Sequence, residues 1–229
     1  MEDWAAELNQ PFDDDPTFDT VANPEIHPHL RLSGDRSMVR MPTRRLFVDY
    51  RANPDAFRHL KRLPKEGESL HGVISGKYAL WDLVPAILER TGDTIADLIV
   101  ATLGFSKQNG VDLCAMLDDR QVRKAAMVCS HYFSKTSQPI YDAVVPELLR
   151  RGQRVIAMRS HCKLLVIRMS KGARYVVESS ANLRSNVNVE TFVMTRCARL
   201  HRWHSRWLNA EILKHAPKPK ESPCPAPTN

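Results

Sequence analysis

The stretch of sequence that decides the fold is HCKLLVIRMSKGARYVVESSAN, residues 161–182. It contains two apolar runs, 161–168 and 173–178, whose length and composition predict two consecutive β-strands. Because side chains along a strand point alternately to opposite faces, His161 and Lys163 are expected to point the same way. The two side chains would then lie together at the start of the first strand.

Two more polar side chains have the same spacing just beyond the second strand. If the two strands are antiparallel neighbours, Ser180 and Asn182 share one rim of the sheet with His161 and Lys163. That set combines a titratable nucleophile or base, a fixed cation and two neutral hydrogen-bond donors, which is what metal-free phosphoryl transfer requires. Glu190 is a candidate to hold the imidazole in a reactive tautomer, as carboxylates do for catalytic histidines. The alternative is that Glu190 is a surface acid.

The rest of the central region alternates between short apolar runs and helical periodicity. This alternation predicts an α/β sandwich with a mixed, largely parallel sheet flanked by helices. A further strand, turn and helix are predicted between residues 72 and 88. Strands are predicted at 97–103, 124–130 and 154–158, and helices at 108–120, 139–151 and 196–214.

The two ends of the chain differ in composition from the centre. Residues 1–45 are acidic and rich in proline, and we expect them to be poorly ordered. The tail 215–229 has five prolines in its last thirteen residues and is predicted to be disordered. The folded domain is therefore expected to span residues 46–214.

The charge of the chain is divided unevenly. Residues 1–29 contain eight acidic residues and no lysine or arginine, whereas the remaining 200 residues carry 33 basic and 18 acidic residues. A basic body of this size favours a polyanionic partner such as nucleic acid. The acidic segment is either a solvating tail or a competitor for the basic surface.

The five cysteines are widely spaced and include no C-x-x-C pair. This pattern argues against a zinc ribbon or a disulfide scaffold and favours a reducing cytoplasm. Cys162 is interpreted as a small core residue, because it alternates with Lys163. No apolar window approaches the ~18 residues of a membrane span, so no membrane partner is expected. No metal or cofactor is predicted.

His161-x-Lys163 followed by Ser179-Ser180-x-Asn182 resembles the H-x-K…G-S-x-N signature of the phospholipase D superfamily, several members of which are nucleases. The order of elements is similar too: a strand with H-x-K, a second strand, the G-S-x-N loop and then an acid. The resemblance covers about residues 161–190 and implies a phospholipase D-like fold for the domain.

The resemblance implies a role for each matched residue. His161 would be the nucleophile that forms a phosphohistidine, and Lys163 and Asn182 would bind the phosphate. Ser180 corresponds to the motif serine, and Ser179 and Ser180 are candidate substrate-binding residues. Glu190 corresponds to the acid that orients the histidine in the bacterial nuclease branch.

The chain departs from the superfamily pattern at two positions. Arg168 stands where the superfamily usually has Asp, and Ser179 replaces the first glycine of G-S-x-N. That Asp is also absent from the tyrosyl-DNA phosphodiesterase branch, so its loss is compatible with catalysis. It does weigh against lipase activity.

The chain holds one copy of the motif, whereas the superfamily's site uses two histidines, one as nucleophile and one as general acid. In this respect it resembles small bacterial or phage endonucleases that pair two copies across a two-fold interface. The resemblance therefore implies a homodimer with one composite site.

Five arginines fall between residues 184 and 206, and they have two interpretations: a solvated face, or a groove that contacts phosphates. Arg184 is favoured as a substrate contact because it lies in the motif loop. Trp203 and Trp207, one helical turn apart, are interpreted as core or dimer packing rather than as platforms for bases.

These observations favour a metal-independent phosphodiesterase, specifically a nuclease that forms a phosphohistidine at a homodimeric site. The alternative from another class is a catalytically inactive protein that binds nucleic acid or serves as a scaffold. A lipid phosphodiesterase is the third alternative, and no interfacial helix supports it.

Overall fold

The computed structural model describes residues 44–49, 60, 62–75, 79–184 and 188–215, all within one compact unit, Arg40–Asn229. The predicted N-terminal segment and C-terminal tail lie outside the described residues except at their inner ends. There Arg44 begins a strand and His215 ends a helix. None of the described helices is long and apolar enough to cross a membrane.

The described residues form one eight-stranded sheet, with the order β1-β2-β8-β7-β6-β3-β4-β5. In chain order the strands are β1 Arg44–Asp49, β2 Glu68–Ser75, β3 Ile95–Ala101, β4 Ala125–Ser130, β5 Arg154–Met158, β6 Leu164–Met169, β7 Arg174–Ser179 and β8 Val189–Arg196.

Helices connect and cover the strands. A 3₁₀ turn precedes the first helix, and Ser106 begins the second by accepting a hydrogen bond from the Asn109 amide at 3.1 Å. In chain order these elements are the 3₁₀ turn Leu80–Asp82, α1 Leu83–Thr91, α2 Lys107–Asp118, α3 His131–Thr136, α4 Gln138–Arg150 and α5 Ala198–His215.

The α/β class and the mixed sheet are confirmed, but the sheet is less parallel than expected. The pairs β1–β2, β3–β4 and β4–β5 are parallel, and the other four pairs are antiparallel. The reason lies in the connections, because a parallel pair needs a crossover of about a dozen residues or more. A short turn joins β6 to β7, so these strands pair antiparallel, as the sequence predicted.

The central strands are buried on both faces, which is why their sequences are continuous apolar runs. On one face, Leu165 and Ile167 join the larger core, which the helices α1 to α4 cover. On the other face, Val166 packs in a second core with Leu208 and Ile212 of α5. The fold therefore has three layers, and α5 covers one face of the sheet.

Candidate active site

His161 and Lys163 lie immediately before β6. The predicted strand began at His161, but pairing with β7 begins at Leu164, so strand alternation does not orient these two side chains. The ammonium of Lys163 instead donates to His161 Nδ1 at 2.9 Å and to the His161 carbonyl at 3.1 Å. The Ser179 amide donates to the Lys163 carbonyl at 3.1 Å, which joins this segment to the end of β7.

Cys162 does not occupy the core position that strand alternation predicted. Its side chain is exposed, because the residue precedes the strand and the alternation of faces does not reach it. Its amide donates to Ser160 Oγ at 3.2 Å. The interpretation of Cys162 as a core residue is therefore wrong.

Ser179, which replaces the motif glycine, stabilises the loop that follows β7. Its hydroxyl donates to the Thr191 carbonyl at 2.7 Å and accepts a hydrogen bond from the Ala181 amide at 2.9 Å. Glycine could make neither side-chain bond. The substitution therefore fastens the loop to β8.

Ser180 contacts two adjacent residues at the start of β8. Its Oγ accepts a hydrogen bond from the Thr191 amide at 3.0 Å and donates to the carboxylate of Glu190. This contact identifies one partner of Glu190, and the predicted orientation of His161 by that acid stays a prediction. Because Ser180 already donates to Glu190, its hydroxyl must exchange partners before it can donate to a phosphate.

Asn182 and Arg184 lie further along the same loop. The Asn182 carbonyl accepts a hydrogen bond from the Leu80 amide at 3.1 Å, while its Oδ1 is buried without a hydrogen-bond partner among the described residues. Arg184 is exposed. Neither residue, nor Glu190, is among those that line the cleft described next.

A cleft of about 660 Å³ opens beside His161, and we call it the main cleft. Its volume falls in the range of about 300–1,000 Å³ that is typical of ligand sites. Four of the predicted site residues thus share one surface: His161, Lys163, Ser179 and Ser180. The lining residues are His161, Cys162, Lys163, Leu164, Glu178, Ser179, Ser180, Trp203, His204 and Trp207.

A smaller cleft of about 330 Å³ adjoins His161 from the side of α3. Ser130, His131, Tyr132 and Arg159 contribute to its lining. His161 therefore borders open space on two sides. Throughout the described ranges, no cluster of three His, Cys, Asp or Glu side chains is arranged to hold a metal ion.

Sequence analysis missed the wall that α5 contributes to the main cleft. Trp203 and Trp207 were interpreted as core or dimer packing, and Trp207 does pack against the second core. Both are also half-buried and line the cleft beside Lys163. Their i, i+4 spacing was visible in the sequence and puts both indoles on one side of a helix. The sequence did not indicate which end of the sheet that side would meet.

His204, between the two tryptophans, was also missed. Its side chain is 5% exposed, and its Nε2 lies 3.4 Å from Glu178 Oε1. The indole Nε1 of Trp207 donates to His204 Nδ1 at 3.2 Å. Because an indole N–H can only donate, Nδ1 must carry a lone pair, and the neutral ring then carries its proton on Nε2. That Nε2 atom makes no hydrogen bond to the described residues.

Arg168, at the position of the missing motif Asp, lies outside the main cleft. It is the direct cross-strand neighbour of Asp97 on β3. Its Nε donates to Asp97 Oδ2 at 2.7 Å, and its terminal nitrogen contacts the same oxygen. Arg168 therefore forms an ion pair with Asp97 and takes no part in lining the cleft.

Neither a known protein family nor a curated protein matches the sequence. Among solved structures, the chain is similar to Nuc, a phospholipase D family member from Salmonella typhimurium, at 13% identity over 62% of this chain and 91% of that chain, with a TM-score of 0.45. The archaeal chromatin protein TrmBL2 is similar at 14% identity over 63% of this chain and 53% of that chain, with a TM-score of 0.40.

Yeast tyrosyl-DNA phosphodiesterase is a third similar structure, at 14% identity over 55% of this chain and 31% of that chain, with a TM-score of 0.35. The chain thus spans most of Nuc but about half or less of the other two proteins. Similarities at this level do not establish membership of a family.

Proposed function

We propose that the protein is a metal-independent phosphodiesterase, a nuclease of the phospholipase D type that acts through a phosphohistidine at His161. One observation carries the proposal: His161 and the Lys163 ammonium lie 2.9 Å apart on the lining of a cleft that Ser179 and Ser180 also line. A nucleophile beside a fixed cation is the arrangement that phosphoryl transfer requires. The basic composition outside residues 1–29 supports nucleic acid as the substrate.

Lys163 has two roles in this mechanism. Without substrate its ammonium donates to His161 Nδ1 and to the His161 carbonyl. A phosphodiester oxygen is a charged and therefore stronger acceptor, so it draws the ammonium away from the imidazole. The same movement places a positive charge on the phosphate and frees the ring nitrogen's lone pair for attack.

The reaction then proceeds in two displacements. A ring nitrogen of His161 attacks phosphorus, forming a P–N bond as the P–O bond to the leaving group breaks. The leaving oxygen takes a proton from His161 of the partner subunit in a homodimer. That imidazole next removes a proton from water, which attacks phosphorus and breaks the P–N bond, and His161 is regenerated.

The second candidate function is a protein that binds nucleic acid without cleaving it. Arg168 and Ser179, the two departures from the motif, were the basis for this alternative. Arg168 pairs with Asp97 outside the main cleft, and the Ser179 hydroxyl makes two hydrogen bonds to backbone groups. Both residues have structural roles compatible with turnover, so we favour the enzyme.

The decisive experiment is cleavage of end-labelled DNA and RNA in EDTA by the wild-type protein, His161→Ala and Lys163→Met. We expect the wild type to cleave, His161→Ala to be inactive, and Lys163→Met to lose ~100-fold to ~1,000-fold in kcat, as when one charge-stabilising donor is removed. Acid quenching should destroy a labelled protein intermediate that alkaline quenching preserves, because phosphohistidine is labile to acid.

His215→Gln serves as the matched control, since His215 is an exposed histidine outside the main cleft. It should cleave at the wild-type rate. Full activity in His161→Ala, or complete loss in EDTA, would contradict the mechanism. Native mass measurement tests the homodimer, and undiminished activity at concentrations where the protein is monomeric would exclude the composite site.

A further inference from the structure

The wall of the main cleft formed by Trp203 and Trp207, which we call the tryptophan wall, has no role in the phosphoryl-transfer chemistry. Both indoles are half-buried and line the cleft, whereas Leu208 and Ile212 of the same helix are fully buried in the second core. Trp207 also packs against that second core, whereas Trp203 is not among the described side chains that do, so the packing of the helix does not account for Trp203. Both side chains line the open volume beside His161.

A carboxylate lies beside the tryptophan wall. The Glu178 side chain is 47% exposed, and the buried His204 Nε2 lies 3.4 Å from its Oε1. An exposed carboxylate oxygen can accept a hydrogen bond from an amino or imino group on the edge of a nucleobase. A lipid chain would cover the indoles but would leave this acceptor unused.

The same cleft is continuous with the phosphate site. His161 and Lys163 line it together with the tryptophan wall, so a ligand that occupies the cleft also reaches the proposed nucleophile. Its volume of about 660 Å³ leaves room for one base with its sugar and phosphate.

A row of exposed arginines runs along α5 beside the tryptophan wall, and we call it the arginine row. Arg199 and Arg206 lie four and three residues from Trp203, the separation that makes side chains neighbours on a helix. Arg202 lies three residues from Arg199 and four from Arg206. They form no ion pair with another described residue. A site for single-stranded nucleic acid usually combines two elements. Basic residues follow the nucleic-acid backbone, and aromatic side chains stack on the bases. The arginine row consists of Arg199, Arg202 and Arg206.

We propose that the main cleft binds an unpaired nucleobase against the tryptophan wall, while the adjoining phosphate lies at His161 and Lys163. The substrate class is then single-stranded nucleic acid, because a base in a duplex is already stacked and paired. This inference rests on the proposed function for the position of the phosphate. The face of the base contacts the indoles, and its edge meets the Glu178 carboxylate.

The test measures binding without turnover, in the His161→Ala background. Anisotropy of a fluorescein-labelled 12-nucleotide DNA strand gives the affinity of the intact strand, of a strand with one abasic site, and of the duplex. We expect Trp203→Ala to weaken binding of the intact strand by ~5-fold to ~150-fold, the range that base stacking gives. The abasic strand should bind less tightly than the intact strand, and the duplex should bind most weakly.

Two further variants make the result specific. Trp203→Phe keeps an aromatic face and should recover most of the affinity, and an unfolding curve for Trp203→Ala excludes loss through misfolding. Leu213→Ala, at a 65% exposed position on α5 outside the cleft, should bind like the parent.

Salt titration distinguishes contacts to bases from contacts to phosphates. Arg202→Ala should lower the slope of log K against log salt by about one, and Trp203→Ala should leave the slope unchanged.

The possible negative results distinguish failure of this inference from failure of the proposed function. Equal affinity of Trp203→Ala and its parent for the intact strand, or duplex binding as tight as single-strand binding, would overturn the inference even if the wild type cleaves DNA. A shift from dimer to monomer in Trp203→Ala without loss of affinity would identify the wall as a subunit contact and would also overturn it. If the wild type does not cleave but the stacking results hold, the proposed function fails and the base site stands.

Discussion

His201 makes the stability of the domain depend on pH. It lies near the start of α5 and is 7% exposed, and this burial lowers the pKa of the imidazole to about 4. The positive charges of Arg174 and Arg168 lower the pKa further, as does His204, while Asp97 acts in the opposite direction. The folded protein therefore holds His201 neutral at pH values where a solvated histidine is charged.

The magnitude follows from the two pKa values. In the unfolded chain His201 should titrate near its ordinary value of about 6.5, so between pH 6.5 and 4 the unfolded state binds more protons than the folded state. The stability associated with the neutral imidazole is complete above pH 6.5 and decreases as the pH falls toward 4. The full decrease is about 3 kcal/mol, and the part between pH 7 and pH 5 is about 2 kcal/mol.

Urea denaturation at pH 7 and pH 5 measures this effect, with His201→Gln as the variant that cannot titrate. We expect the wild type to lose about 2 kcal/mol more of its free energy of unfolding than His201→Gln over this interval. His215→Gln, which alters an exposed histidine, should keep the wild-type response. If the wild type and His201→Gln respond equally to pH, His201 is protonated or solvated in the folded state and the reasoning is wrong.

Two further predictions concern packing and the altered motif position. Gly110→Ala on α2 should destabilise the protein by about 1–3 kcal/mol in urea denaturation, because a Cβ there would lie 2.4 and 2.5 Å from the two methyl groups of Val144. Free space at this position would instead give the gain of up to about 1 kcal/mol usual for this change in a helix. Arg168→Gln should leave metal-free cleavage unchanged and cost less than about 1 kcal/mol, since the ion pair with Asp97 is partly exposed. A large loss of kcat in a folded Arg168→Gln protein would show that this position takes part in the reaction.

The elements that the sequence predicted best are those with a local signal. The strands β3 to β5 and the helices α2 and α4 were predicted to within a few residues, because burial on two faces or one imposes a period that the sequence repeats. The short helix α3 was not predicted. The strand β8 was missed, although Phe192 and Met194 alternate with less buried residues along it. Its neighbours in the sheet are β2 and β7. The pairing with β2, which lies far away along the chain, leaves no local pattern in the sequence.

The same contrast between local and long-range signals applies to the candidate site. The sequence by itself determined that His161 and Lys163 lie near Ser180 if the two strands are antiparallel neighbours, and the short turn between the strands produces that pairing. Asn182, which was expected on the same rim, does not line the cleft. The sequence did not determine the orientation of the His161 and Lys163 side chains, because pairing starts only at Leu164.

The tertiary structure alone decided what surrounds His161. The position of α5 on the sheet brings Trp203, His204 and Trp207 to the end of β7, many residues away along the chain. Periodicity gives the apolar side of a helix, but the rotation and height of that helix on the sheet depend on how its buried side chains pack against other elements. The sequence therefore predicted candidate site residues, and only the packing of α5 produced the cleft that they line.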